Sequence, residues 1–230
     1  ITMARSVLYK YFISYIAIFA IPLVILGIVL YSNAVVQMQK EVERYTLDKV
    51  SRMKDVVDNE LLEIQKIAIN ISYDEIIKPY AVNLNDYRSK SAVDQLAKYK
   101  IASFIDNIFV HFTNEEYIYS IEGKMSFDTM LRYMLGVDSQ SGKRFIDTVK
   151  NLKESRQIGV SGMPEGTSEI KDSLISLYPL PLSGSRYGVV GIKIDYTTVK
   201  HLAEDILGDS NGIVYVLNSQ MERIYSFGDL

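Results

Sequence analysis

The sequence predicts an α+β chain in which an apolar N-terminal helix continues into a long amphipathic helix, followed by an antiparallel sheet with covering helices. Three observations predict it. Residues 11–31, "YFISYIAIFAIPLVILGIVLY", carry no charge. From Val35 to Ile71 the apolar residues recur mostly three or four apart, the period of one helix face. From residue 105 onward the apolar period falls to two, the period of a strand.

The uncharged run has 21 residues, enough at about 1.5 Å per residue to span a hydrocarbon core of roughly 30 Å. Tyr9, Tyr11 and Tyr15 lie toward one end and Tyr31 marks the other, as interfacial aromatics do. Pro22 is tolerable inside a membrane helix. Arg5 and Lys10 precede the run without a nearby acid, which predicts a cytoplasmic N-terminus for residues 1–10. A cleaved signal peptide is the alternative. Its apolar region is about 7–15 residues and ends at a small-residue site; "LYSNAVV" is a poor one.

Beyond Gly27 no Gly, Pro or turn dipeptide interrupts "GIVLYSNAVVQMQKEVERY". The membrane helix is therefore expected to run on as one long helix over 32–75. Its stripe includes Val35, Met38, Val42, Tyr45, Val50, Met53, Val57, Leu61, Ile64, Ala68 and Ile71. A helix this long lies along a sheet or pairs with a copy of itself, so a homodimer through this helix is expected.

"KPYAVNLND" (78–86) ends the long helix, and a shorter one follows around 89–103. "IDNIFVHF" (105–112) and "EYIYSIEG" (116–123) read as a hairpin around "TNE". Ser126 is an expected N-cap for a short helix over 126–135, and 141–155 reads as another. "SGMPEGTSE" (161–169) reads as a loop. Strands are expected over 173–180 and 187–195, joined by "SGSR", then a helix over 196–207 and a new hairpin over 212–230. That last hairpin matches the first: "IFVHFTNEEYIYSIEG" and "IVYVLNSQMERIYSFG" share an apolar strand, a polar turn and "IYS". Two similar modules in tandem are expected, a distal one over 76–207 and the start of a second over 208–230.

Composition excludes several classes. The chain has no cysteine, which removes disulfides, thiolate metal sites and cysteine nucleophiles. Net charge is −3, which argues against a nucleic-acid footprint. No GxSxG, Walker loop, GxGxxG or HExxH occurs, and the two histidines, His111 and His201, fall on different elements. No catalytic constellation, metal site or cofactor is therefore expected.

Alternation sorts the strand side chains onto two faces. Ile108, Val110, Phe112, Ile118, Ile175, Leu177, Val190, Ile192 and Ile194 form an apolar set, expected to pack on the long helix. Asn107, Phe109, His111, Tyr117, Tyr119, Ser176, Tyr178, Lys193 and Asp195 form a mixed set. If residues 126–169 cover the mixed face, they enclose a polar pocket. The candidate ligand contacts are Tyr117, Tyr119, Tyr178, Asp195, His111 and Lys193, with Arg132 and Tyr133 from the covering helix. Tyrosines on a solvated face are ordinary, however, and Asp195 is equally placed to cap the helix that starts at Tyr196.

The opening "SVLYKYFISYIAIFAIPLVILGIVLYSNAVVQMQKEVE", the long helix, the sheet and "GIKIDYTTVKHLAEDIL" leading into a second hairpin resemble the double Cache sensor domain, whose modules are PAS-like. The opening is also similar to that of membrane-bound AraC-type regulators and sensor histidine kinases of Gram-positive bacteria. The resemblance implies an extracytoplasmic receptor whose distal module binds a small molecule and whose membrane helices pass the signal inward to a cytoplasmic output. The chain has no tryptophan, a residue found in the amino-acid-binding motif of some double Cache domains, so the resemblance does not imply an amino acid as ligand. An interaction module sensing a partner protein or mechanical state of the envelope is the alternative, and an anchored exported enzyme is a third.

Overall fold

The structure is a computed structural model. It describes residues 2–82, 86–138, 140, 142–162, 171–208, 212–217, 221 and 223–228. The fold is α+β, as the sequence predicts.

Helix α1, Thr2–Tyr73, has no interruption along its 72 residues, Pro22 included. Two compact units divide at 52/53. In the first, the large apolar side chains from Tyr11 to Tyr31 are all exposed, and the helix is long and apolar enough there to cross a membrane. Val42, Tyr45 and Leu47 are exposed too. In the second unit the same helical period buries its side chains: Met53, Ile64, Ile67, Ala68 and Ile71 enter the core. Full burial of each isoleucine contributes about 1.5–3 kcal/mol.

Asp74 ends α1 and caps a 3-10 turn, Glu75–Ile77, by accepting from the Ile76 N–H. Helix α2, Pro79–Val82, begins at proline, whose missing N–H costs nothing in a first turn. Helix α3 follows, Asp86–Lys98.

The sheet has six antiparallel strands in the order β3-β2-β1-β6-β5-β4. They are β1 (Ile105–Phe112), β2 (Tyr117–Ser120), β3 (Gly123–Ser126), β4 (Arg156–Gly162), β5 (Lys171–Leu180) and β6 (Gly188–Ile194). The expected strands are present, and β3 and β4 are additional. β4 includes residues 161 and 162 of the expected loop; the rest of that segment lies outside the described residues. Between β3 and β4 come α4, Phe127–Met130, a π-helical turn, Leu131–Leu135, and α5, Lys143–Asn151. Ser126 caps α4 as expected, its Oγ accepting from the Thr129 N–H at 3.2 Å. Helix α6, Tyr196–Leu207, leads to a separate hairpin of β7 (Val214–Leu217) and β8 (Arg223–Phe227).

The sheet is buried on both faces. Ile108, Val110, Tyr119, Tyr178, Val190 and Ile192 pack toward Ile64, Ala68 and Ile71 of α1. Phe109, Ile118, Ile175, Leu177 and Val189 pack toward Met130, Leu131, Phe145 and Val149 of the covering helices. This corrects the expected sorting for two strands. Val110 pairs with Tyr119 and His111 with Ile118; Tyr178 pairs with Val190 and Ile175 with Lys193. Tyr119, Ser176 and Tyr178 therefore lie on the α1 face, and Ile118, Ile175 and Leu177 on the other. With both faces apolar, alternation within one strand does not say which face is which.

Candidate ligand site

The covering face is built by register. Asn107 pairs with Lys193, Phe109 with Gly191 and His111 with Val189, so these side chains share one surface beneath the covering helices. Its centre is filled. The Phe109 ring lies over Gly191, where any Cβ would fall far inside contact distance, and meets Phe145 edge-on at 6.3 Å between centroids. Met130, Leu131 and Leu135 close over it.

The polar groups collect at the two ends of this face. At one end β1 carries a bulge: Ile105 pairs with Ile194 and Asn107 with Lys193, leaving Asp106 as the extra residue. A bulge re-aims a side chain, and here the Asp106 carboxylate meets the Lys193 ammonium at 2.7 Å. Lys193 also donates to the Met134 carbonyl at 3.1 Å, at the end of the π-helical turn, where backbone oxygens lack helical partners. Asn107 is buried. Its Nδ2 donates to Glu122 Oε1 at 2.9 Å, whereas its Oδ1 has no partner among the described residues. A buried amide oxygen without a donor costs about 1–3 kcal/mol, and such a group at a site of mixed charge is what a polar ligand would satisfy.

At the other end His111 is buried, edge-on to Phe127 at 4.8 Å. Its Nδ1 lies 3.3 Å from the Tyr117 carbonyl. Burial holds its pKa below the ordinary histidine value, and the Lys150 and Arg186 cations push it the same way.

The predicted contacts are thus divided. Lys193 and His111 lie on the covering face at opposite ends. Tyr119 and Tyr178 are buried on the α1 face, and burial raises both phenol pKa values. Tyr117 is exposed beneath the Lys124 ammonium, 4.6 Å from its ring centroid. Arg132 pairs with Asp128 at 2.7 Å one turn away, and Tyr133 is exposed. Asp195 caps α6, its Oδ1 accepting from the Thr197 N–H at 2.9 Å and the Thr197 hydroxyl at 2.7 Å. Asp106, Glu122 and the Met134 carbonyl were not among the expected contacts. Alternation puts Asn107 on this face, but nothing in the sequence singles it out.

No protein-family model and no curated protein matches the chain. Solved structures do. The ligand-binding domain of the Campylobacter jejuni chemoreceptor Tlp3, in complex with L-valine, superposes with a TM-score of 0.50 at 10% identity, over 82% of this chain and 71% of that one. A domain of a sensory box/GGDEF family protein from Vibrio parahaemolyticus gives 0.51 at 11% identity, over 77% and 69%. The chain has the fold of these bacterial sensory domains. This agrees with the double Cache resemblance at the level of architecture. A PAS-like sheet stands on a long helix, with covering helices inserted after the β1–β3 meander.

Proposed function

We propose that the chain is the extracytoplasmic sensing region of a bacterial membrane receptor, anchored by residues 11–31 with its N-terminus in the cytoplasm, and that its distal module binds a small polar molecule. The observation that carries this reading is the sensory-domain fold on a helix apolar enough to cross a membrane. The ligand is held at the bulge by Lys193, Asp106, Asn107 and Glu122. A ligand donor satisfies Asn107 Oδ1, and a ligand carboxylate or carbonyl competes with the Met134 carbonyl for Lys193. The covering turn, released or held at Met134, then has two positions, and a ligand shifts their balance only by binding one better than the other. The N-terminal stripe of α1 pairs two copies, and the output is a cytoplasmic regulator or kinase encoded with it. The chain itself performs no catalysis.

The test is a thermal-shift screen of the whole chain in neutral detergent micelles against organic acids, amines, sugars, nucleosides and amino acids. A hit should raise the unfolding temperature, and Lys193→Gln should abolish the shift while Arg132→Gln keeps it. A hit insensitive to Lys193 would place binding elsewhere; no hit in any class would remove the ligand-sensing reading.

One observation favours a second reading. The middle of the covering face is closed by Phe109, Met130 and Phe145 of the chain itself, which is what a module sensing a partner protein without a small ligand would need.

A further inference from the structure

Outside the bulge site, the loop after α5 and the β5–β6 turn enclose a cleft of about 460 Å³, within the usual size of small-molecule sites, about 300–1,000 Å³. Its charged lining residues are Lys150, Lys153 and Arg186, and no acid lines it. Leu152, Pro179 and Pro181 supply apolar wall. β4 pairs with β5 only as far as Leu177, and the turn begins three residues later, after Leu180, so the cleft lies beyond the paired end of the edge strand.

Arg186 donates from both terminal nitrogens to backbone carbonyls, Nη1 to Leu152 and Nη2 to Lys150. Fastening the turn to the C-terminus of α5, where cations are favoured, accounts for this residue structurally. It does not account for the two lysines. Lys150 sits 5.5 Å over the Phe127 ring, and neither it nor Lys153 meets a carboxylate among the described residues. Three cationic side chains line one recess, and among the described residues no carboxylate lines it with them. Like charges lining one recess repel, and a bound anion offsets that repulsion.

We infer that this cleft is a second, anionic-ligand site. It takes a small organic anion whose carboxylate or phosphoryl group lies between Lys150, Lys153 and the outer edge of Arg186, with its apolar part on Leu152, Pro179 and Pro181. The residue that follows Arg186 in the chain anchors α1. Tyr187, next to Arg186, donates its hydroxyl to the Ser72 carbonyl at 3.0 Å, and Lys78 donates to the same oxygen at 2.6 Å. The site is distinct from the bulge, and its test stands apart from that reading.

The probes are citrate and inorganic phosphate, titrated in the low-millimolar range against the whole chain in neutral micelles, with ionic strength held constant by sodium chloride. Ligand binding to the folded state raises the unfolding temperature in a saturable way. The expected result is such a rise with citrate, unchanged in Lys193→Gln. In Lys153→Gln and in the double variant Lys150→Gln/Lys153→Gln it should require about tenfold more anion or greater. Lys153 is exposed, so its single variant keeps the test open if the double variant folds poorly. A matching response to phosphate assigns the site to phosphoryl as well as carboxylate groups, and a response to citrate alone assigns it to carboxylates. No saturable shift beyond chloride from either anion, or a shift that the lysine variants retain, overturns the proposal.

Discussion

The Tyr99 hydroxyl donates to Asp74 Oδ2 at 2.7 Å, joining the residue that ends α1 to the segment just beyond α3. Gln95 Nε2 reaches the same oxygen at 2.7 Å, and Oδ1 takes the Ile76 N–H at 2.9 Å. Partial burial pushes the Asp74 carboxyl up, but the hydrogen bonds from Gln95, Tyr99 and Ile76, with Lys98 nearby, outweigh it and hold the pKa below the ordinary carboxylate value. Burial, then the hydrogen bond to Asp74, pushes Tyr99 up to about 12. The two shifts act at opposite ends of the pH scale. A depressed carboxyl stabilises the fold above its unfolded pKa, and that contribution is lost as pH falls through the folded value. A raised phenol stabilises below its unfolded pKa, near 10, and that contribution is lost as pH rises toward about 12. Asp74→Ala should cost about 1–3 kcal/mol at pH 7. Its deficit against the wild type should shrink below about pH 4, measured by urea unfolding at each pH. A deficit independent of pH would show that the carboxylate charge is not the source.

Gly191 and Phe109 test how tightly the covering face is filled. The Phe109 ring occupies the space a Cβ on residue 191 would need, and both flanking strands are central, so the backbone has little freedom to yield. Gly191→Ala should destabilise by about 1–3 kcal/mol, the usual cost of overpacking. Adding Phe109→Leu should recover part of that loss, because the clash is with the ring. A double-mutant cycle by denaturant unfolding measures the coupling. Additive costs would mean that the strain is absorbed elsewhere.

Which parts of this fold the sequence disclosed follows from where the physics is local. Asp195 is readable as a cap because capping is decided within three residues, and Ser126 likewise. The long helix is readable because its period persists from Val35 to Ile71. Alternation assigns the faces of β1 and β6 correctly and exchanges those of β2 and β5. "YIYS" and "SLISLYPL" offer aromatic or aliphatic side chains to both sides, and only pairing with a neighbour sets the face. The bulge at Asp106 was invisible for the same reason, since an extra residue exists only relative to a partner strand. β4, "RQIGVSG", is an edge strand with two glycines and little β-propensity to announce it.

Gly159 marks where the second hairpin meets the first sheet. A Cβ at this position would lie 2.6 Å from the Ile224 carbonyl oxygen and 3.3 Å from the Tyr225 ring, so β8 approaches edge strand β4 through the space a side chain would fill. Gly159→Val should push β8 away while leaving the six-stranded core in place. The expected readout is loss of amide-exchange protection over Arg223–Phe227, with protection in β1 and β6 unchanged. Retained protection in β8 would mean that the hairpin is held by α6 rather than by this approach.

Ile64 and Val42 lie on the same helix, and their substitutions should separate its two roles. Ile64 is fully buried against the sheet, so Ile64→Ala removes packed methyl groups and leaves a cavity, at about 2–5 kcal/mol. Val42 is 57% exposed in a single chain, and alanine is the better helix former. Val42→Ala should therefore leave the unfolding of the second unit unchanged. If the N-terminal stripe pairs two copies, however, Val42→Ala together with Met38→Ala removes knobs from that seam and should lower self-association in micelles. Ile64→Ala, at a residue turned into its own domain, should leave it intact. Sedimentation equilibrium beside thermal unfolding reads both quantities on the same samples. Unchanged association in the Met38/Val42 variant would place any dimer contact outside this stripe, and a monomeric wild type would remove the paired-helix reading altogether.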